Sequence, residues 1–285
     1  MNIIKLFFKV ILILFVLTCV LLVLTRIIPI GSQARELLTL SEMKSTFPEM
    51  RLATEEGEIA YHQSGEGKTL VLFIHGSPGI WNAFGGYMKD ENLTERDVTM
   101  VAYDRPGYGE TNVSGTSSLE AQADMAEVII GKYNLPTIIV AHSYGGAIAT
   151  AIAKKYPQRI KSIVLIAPTL HPEGEEGLWF LRMTQWITRT PIGRVLASEV
   201  MVLAADEVWR MPEEMRALAL LAKDIKIPIT IFHGDKDFLA PISNLDYARE
   251  IFSGVNVTEI VVEGGSHFLP WTEQDLITQT ILKNL

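Results

Sequence analysis

Ala141-His142-Ser143-Tyr144-Gly145-Gly146 is the stretch that decides the fold of this chain. It follows the β-branched run Thr137, Ile138, Ile139, Val140 and opens onto a helix-forming run at 147–156. A strand that passes into a helix through so short a turn forces a strained backbone on its central residue. Small neighbours, here Gly145 two positions on, then let strand and helix approach without side-chain clashes. The turn lifts the Ser143 hydroxyl to the end of the sheet, within reach of a substrate and a base. The usual pattern for such a turn is G-x-S-x-G. Ala141 stands at its first glycine, and alanine, the next smallest side chain, leaves the turn sterically possible. Taken alone, the hexapeptide also reads as a small-residue turn with an incidental serine.

Outward from this turn, strand and helix patterns alternate. Strands are expected at 50–54, 58–63, 69–74, 98–103, 137–141, 160–167, 227–233 and 257–262. Helices are expected at 81–89, 118–133, 147–156, 243–252 and 273–285. Alternation at this spacing implies an α/β fold with a mostly parallel central sheet and helices on both faces. Residues 168–226 break the pattern, with helical signals and no convincing strand, and read as an inserted helical cap. Trp179, Met183 and Trp186 lie in that cap, and Phe238 lies beyond it. These four are candidates to line a cleft for an apolar substrate portion, although such side chains also serve simply to pack a cap onto a core.

A serine hydroxyl is a weak nucleophile unless a base lies within hydrogen-bond reach, and the base needs an acid to fix its tautomer. Both partners follow strands. His233-Gly234-Asp235-Lys236-Asp237-Phe238 supplies two carboxylates after one strand, and Gly264-Gly265-Ser266-His267 supplies an imidazole after the next. In a parallel sheet these strand ends share one edge with Ser143.

From about Met50 to the C-terminus the chain resembles the α/β-hydrolase superfamily, in its capped branch of esterases, haloperoxidase-like enzymes, proline iminopeptidases and C–C bond hydrolases. Four motifs carry the resemblance in order: His75-Gly76-Ser77-Pro78-Gly79 (H-G-x-P), Asp104-Arg105-Pro106-Gly107-Tyr108-Gly109 (D-x-x-G-x-G), the serine turn, and the acid and histidine loops. The resemblance implies the α/β-hydrolase fold over 49–285 with the cap at about 168–226. It implies Ser143 as nucleophile, His267 as general base and, by the pattern G-x-x-D, Asp237 rather than Asp235 as the acid. It also implies the backbone amides of Ser77 and Tyr144 as oxyanion donors, and a cis Ser77–Pro78 bond. The expected activity is cleavage of a carboxylic ester or related acyl substrate. A proline-iminopeptidase-like aminopeptidase, for which the cap acids Glu173, Glu175, Glu176, Glu207, Glu213 and Glu214 are candidates, and a C–C bond hydrolase are alternatives. So is a binding module that keeps the fold without catalysis. Relatives with an aspartate nucleophile, such as epoxide hydrolases, are disfavoured by serine at position 143.

The resemblance does not reach residues 1–48. Residues 1–30 are almost wholly apolar, without a charge from Val10 to Thr25, and are flanked by Lys5, Lys9 and Arg26. A membrane span needs about 20 apolar residues; snorkelling of Lys9 and Arg26 extends this run to the interfaces. Residues 1–30 therefore read as an N-terminal transmembrane anchor and 31–48 as a linker. The excess of positive charge before the run places the N-terminus in the cytoplasm and exports the domain. A cleaved signal peptide releasing a secreted protein is the competing reading.

The chain carries a net charge of −8, and the segment after the anchor is more acidic still. This disfavours nucleic acid and anionic lipid as partners. The single cysteine, Cys19, lies in the apolar run, so one chain offers no disulfide and no thiol chemistry. The histidines have no metal-ligand spacing. The expected partners are a small acyl substrate and the membrane, with no metal and no cofactor.

Overall fold

The chain was analysed as a computed structural model that describes residues 9, 13–20, 23–24, 41–172, 185–222 and 224–285. Buried β-branched runs become its central strands. In chain order the strands are β1 (Met50–Thr54), β2 (Gly57–Ser64), β3 (Thr69–Ile74), β4 (Val98–Tyr103), β5 (Thr137–His142), β6 (Ile160–Ile166), β7 (Ile229–Gly234) and β8 (Val257–Val262). They form one sheet in the order β1-β2-β4-β3-β5-β6-β7-β8. The first two strands are antiparallel, β2 is antiparallel to β4, and every later pairing is parallel.

The helices are α1 (Gly85–Lys89), α2 (Glu91–Thr94), α3 (Leu119–Tyr133), α4 (Tyr144–Lys155), α5 (Pro191–Leu196), α6 (Glu199–Ala222), α7 (Ser243–Ile251), α8 (Leu269–Thr272) and α9 (Gln274–Asn284). Local chemistry sets several boundaries. The Ser118 hydroxyl accepts from the Ala121 amide to start α3, and Asn134 closes it in the left-handed conformation at φ 52°. Thr190 caps α5 through the Gly193 amide at 3.0 Å.

Side-chain alternation along the strands divides the core. Leu70, Leu72 and Ile74 of β3 and Ile139 and Ala141 of β5 pack with α3, α4 and α7, whereas Val71, Phe73, Ile138 and Val140 pack with Trp81, Phe84, Tyr87, Leu269, Ile277 and Ile281 on the other face. Burial on both faces explains why β3, β4 and β5 read as continuous apolar runs. Between 185 and 222 the cap is mostly helical. Helix α6 turns Met211, Met215, Leu218 and Ala222 onto the core, the spacing of one helical face. Trp179 and Met183 lie outside the described residues, as does most of 1–30 and all of 31–40. Among the described residues no helix is long and apolar enough to cross a membrane. The described helical stretch 13–20 exposes Ile13, Phe15, Val16, Leu17 and Val20.

The parallel register has a functional consequence, because β3, β4, β5, β6, β7 and β8 all end on one edge. Ile74 pairs with Ala141, His142 with Ile166, and His233 with Val261. Ligands of open α/β sheets bind outside this carboxyl edge, and the loops bearing His75, Asp104, Ser143, Asp237 and His267 all leave from it.

The β5–α4 turn depends on Gly145. A Cβ there would stand 2.5 Å from the Ile74 carbonyl oxygen and 2.9 Å from that of His75. Gly145→Ala is therefore expected to destabilise the protein by about 1–3 kcal/mol, despite the better helix propensity of alanine. Gly264, at φ +71° with open space around it, is the control. Gly264→Ala carries only backbone strain, on the order of 1 kcal/mol. Thermal melts of the two variants compare them, and a Gly145→Ala protein at least as stable as Gly264→Ala would contradict the clash.

Candidate active site

Ser143 sits at the turn between β5 and α4 with φ 54° and ψ −123°. This conformation is costly for a residue with a side chain and is held by three backbone hydrogen bonds. The Ser143 amide donates to the Ile166 carbonyl at 3.0 Å, and the Ser143 carbonyl accepts from Gly146 at 2.9 Å and Thr169 at 3.2 Å. The Gly76 loop presses against the turn, since a Cβ on Gly76 would lie 2.9 Å from the Ser143 Cβ.

The structure brings Ser143, His267 and Asp237 together. Nδ1–H of His267 donates to Asp237 Oδ2 at 2.7 Å, which leaves Nε2 as the acceptor for Ser143 Oγ–H at 3.0 Å. All three side chains are buried. Asp237 is fixed by its second oxygen, which accepts from the amides of Leu239 at 2.9 Å and Ala240 at 2.8 Å. Asp235 turns elsewhere and accepts from the Gly264 amide at 2.7 Å. That bond, together with Lys236 N–H donating to the Gly265 carbonyl at 2.9 Å, stitches the β7 and β8 loops together. Gly234 makes the stitch possible, because a Cβ there would meet the Gly265 oxygen at 2.2 Å.

The expected oxyanion donors belong to the serine turn and to the Gly76 loop that presses on it. Tyr144 is the first residue of α4, so its amide has no partner within the helix. Ser77 follows Gly76 after β3 and is joined to Pro78 by a cis peptide bond. Of the apolar candidates, Phe238 is 57% exposed beside Asp237, and Trp186 is 61% exposed on the cap. The half-exposed pair Phe268 and Trp271, ring centroids 6.0 Å apart, adjoins His267 and was not anticipated.

Two further groups at the serine turn carried no sequence signal. Thr169 Oγ1 lies 3.3 Å from Ser143 Oγ. With the serine proton directed to His267 Nε2, Thr169 is the donor of that bond. His142, the residue before the nucleophile, donates from Nε2 to the His267 carbonyl at 3.0 Å and stacks edge-on against Trp271. It thereby braces the backbone of the base. Burial, reinforced by the neighbouring His267 ring, pushes the His142 pKa down to about 3.

The other histidines shape loops. His233 donates to the Ala240 carbonyl at 2.8 Å and supports the Asp237 loop; burial lowers its pKa. Nδ1–H of His75 donates to the Gly76 carbonyl at 2.8 Å, and its Nε2 accepts from the Arg105 amide at 3.1 Å. Burial, then the adjacent Arg105, holds His75 well below the usual imidazole range. His62 stacks on Trp81 at 3.6 Å, remote from the turn in sequence and in its contacts. Asp104 anchors the D-x-x-G-x-G turn, accepting from the amides of Trp81 and Glu110 at 2.9 Å each. Burial raises its pKa to about 6.

Arg105 and Glu207 form an ion pair with no solvent exposure at either side chain, Nη1 to Oε1 at 2.6 Å. Glu207 lies on α6 of the cap. It also accepts from Tyr108 Oη at 2.7 Å and Gln122 Nε2 at 3.2 Å, and Arg105 additionally contacts the Gln122 side-chain oxygen. Removing one partner of such a pair strands a buried charge, at a cost of about 3–5 kcal/mol. Among the described residues no group of three or more His, Cys, Asp or Glu side chains is arranged to hold a metal ion.

Residues 69–187 match the family model of the alpha/beta hydrolase fold. The chain has the α/β-hydrolase fold, and this stretch of its sequence is similar to that family. It is 25% identical to the human serine hydrolase BPHL over 223 residues, 72% of this chain and 75% of that one. It is 35% identical over 111 residues to the probable lysophospholipase BODYGUARD 4 of Arabidopsis thaliana, covering 38% of this chain and 26% of the plant protein. The chain thus spans only about a quarter of the length of that relative. The crystal structure of the epoxide hydrolase VrEH1 from Vigna radiata superposes with a TM-score of 0.68 at 16% identity, over 84% of this chain and 97% of that one. This likeness concerns the fold.

The low pKa of His142 gives a prediction on stability. Unfolded, this imidazole titrates near 6.5; folded, it stays neutral down to about pH 3. Above pH 6.5 it has no effect. As pH falls from about 6.5 toward 3 the unfolded state gains a proton that the folded state refuses, so stability is lost by about 1.4 kcal/mol per pH unit. His142→Gln keeps a donor to the His267 carbonyl and removes the titration. Urea unfolding at several pH values is expected to show the variant gaining on the wild type between pH 6 and 4. A stability difference independent of pH would contradict the assignment.

Proposed function

We propose that this protein is a serine hydrolase acting on carboxylic esters or related acyl substrates. The observation that carries the reading is the continuous chain from Asp237 through His267 to Ser143, with each proton directed toward the next acceptor. In the proposed reaction, Ser143 Oγ attacks the carbonyl carbon while His267 Nε2 takes its proton. Asp237 stabilises the resulting imidazolium and keeps its orientation. The carbonyl oxygen, now negative, is received by the amides of Ser77 and Tyr144, each worth roughly 3 kcal/mol of barrier. His267 then protonates the leaving alcohol. Water, activated by the same imidazole, releases the acid from the acyl-enzyme.

Three further observations support this reading over its alternatives. The strained backbone at position 143 holds a serine, where relatives with epoxide chemistry use an aspartate. Two of the cap acids weighed for an amine-binding site are engaged otherwise: Glu207 is neutralised by Arg105, and Glu214 accepts from the Leu119 amide at 3.2 Å and pairs with Arg210 at 3.3 Å; Glu173, Glu175 and Glu176 lie outside the described residues. Exposed Phe238, Phe268 and Trp271 beside the acid and base suit a substrate with an apolar portion. The similarity to a human serine hydrolase and a plant lysophospholipase points the same way. The apolar residues 1–30 support an anchor that holds the enzyme on a membrane with its domain exported. Protease added to spheroplasts should then digest the domain, and full protection would overturn that topology.

A fluorophosphonate probe is expected to label the wild type and leave Ser143→Ala unlabelled. On a p-nitrophenyl ester, Asp237→Asn should lower kcat by about 10³–10⁴-fold, because the wrong imidazole tautomer then faces the serine. Labelling that persists without Ser143, or an Asp237→Asn enzyme with undiminished kcat, would overturn the proposal.

A further inference from the structure

The turn at Asp104–Gly109 takes no part in the proposed reaction, yet its Arg105 is aimed at both the cap and the oxyanion loop. The guanidinium reaches Glu207 of α6 with Nη1 at 2.6 Å and Nη2 at 3.2 Å, and the same Nη2 donates to the Gly76 carbonyl at 2.9 Å. Glu207 in turn receives Tyr108 Oη–H at 2.7 Å, and Tyr108 Oη lies 3.1 Å from Ser77 Oγ. The direction of this last bond is fixed by its neighbours. A carboxylate facing a guanidinium only accepts, so Tyr108 directs its one proton to Glu207. Its oxygen is then free to accept, and Ser77 Oγ–H is the donor. Two consecutive residues of the H-G-x-P loop are thereby tied to one carboxylate on the cap, Gly76 through Arg105 and Ser77 through Tyr108.

We propose that the buried Arg105–Glu207 pair is a latch by which the seated cap sets the position of the Gly76–Ser77 loop and hence of the Ser77 amide that receives the oxyanion. Arg105, Tyr108 and Glu207 are positioning residues, since none of them touches the reacting atoms. A buried ion pair is a poor device for stability alone, because apolar side chains of similar volume do as well. What apolar side chains cannot do is hold a carbonyl and a hydroxyl of the same loop at fixed hydrogen-bond distance. The latch also commits the Ser77 proton to Tyr108 Oη, so its hydroxyl is not a third oxyanion donor and the hole rests on its two amides.

This inference rests on the proposed serine-hydrolase reading, and its test separates the two. Full-length protein in detergent is titrated with an alkyl trifluoromethyl ketone, whose adduct with Ser143 places an oxyanion in the hole, and with the matching unreactive alkyl alcohol. The variants are Glu207→Gln and the milder Tyr108→Phe, which removes only the hydroxyl that joins Ser77 to Glu207. Tyr108→Phe is expected to weaken the ketone about 3–10-fold and Glu207→Gln about 10–100-fold, with kcat falling in parallel and the alcohol bound as before. The sign is diagnostic for Glu207→Gln. Removing its charge leaves Arg105 uncompensated near the hole, which by electrostatics alone would tighten the ketone. Tighter or unchanged ketone binding by folded variants would overturn the latch. Should Glu207→Gln fail to fold, Tyr108→Phe decides alone by the same criterion. A wild type that neither binds the ketone nor takes up a fluorophosphonate would instead overturn the reading beneath it.

Discussion

The close approach of helix α4 to the end of strand β3 is the constraint on which the site depends. Only glycine at 145 lets the helix begin against the carbonyls of Ile74 and His75. That approach forces Ser143 into a conformation costing on the order of 1–3 kcal/mol. The cost is offset locally, because the amide and carbonyl of Ser143 make three hydrogen bonds, to the end of β6, the first turn of α4 and Thr169 in the loop after β6. The hydroxyl therefore has little freedom and stands where the β7 and β8 loops bring Asp237 and His267. Those loops are joined through a second close contact at Gly234 and Gly265. Two glycine-dependent contacts thus place three side chains that lie far apart in the sequence.

Most of this architecture is written in the sequence, since burial on both faces gives strands a continuous apolar signal and parallel pairing puts their ends on one edge. Strands β3, β4 and β8 begin and end where the residue pattern implies. Elsewhere a local constraint moved the boundary. Helix α4 starts at Tyr144, three residues before the helix-forming run, because the turn geometry overrides the low helix propensity of Gly145 and Gly146. Strand β7 starts at Ile229, just past Pro228, which has no amide to contribute to the ladder. Ala141 is fully buried, paired with Ile74 and Leu165, and its side chain joins the face covered by α4.

What could not be read is long-range and polar. Thr169, the bond from His142 to the His267 carbonyl, and the pairing of Arg105 with Glu207 each join residues distant in the chain by directional contacts that leave no periodicity. Glu207 illustrates the difficulty. As one of several acids on a helical cap it looks like a solvated residue or an amine ligand, yet it is buried against a cation 102 positions away. Side-chain direction on a cap helix depends on how the cap docks, and one sequence does not encode that as a local pattern.

The electrostatics of the proposed reaction give the buried pair a second consequence. Glu207 is two hydrogen bonds from Ser77 Oγ. Like charges roughly 8 Å apart at an effective dielectric of 20 repel by about 2 kcal/mol, so an unpaired carboxylate there would oppose an oxyanion beside it. Arg105 cancels that field while Tyr108 and Gln122 satisfy the remaining lone pairs. Of the histidines at the turn only His267 becomes positive, as it takes the serine proton in the proposed reaction; burial keeps both His75 and His142 neutral. The field at the proposed hole is thus set by the transient His267 imidazolium and by oriented amides, and the share of the amides follows from how firmly the Gly76–Ser77 loop is held.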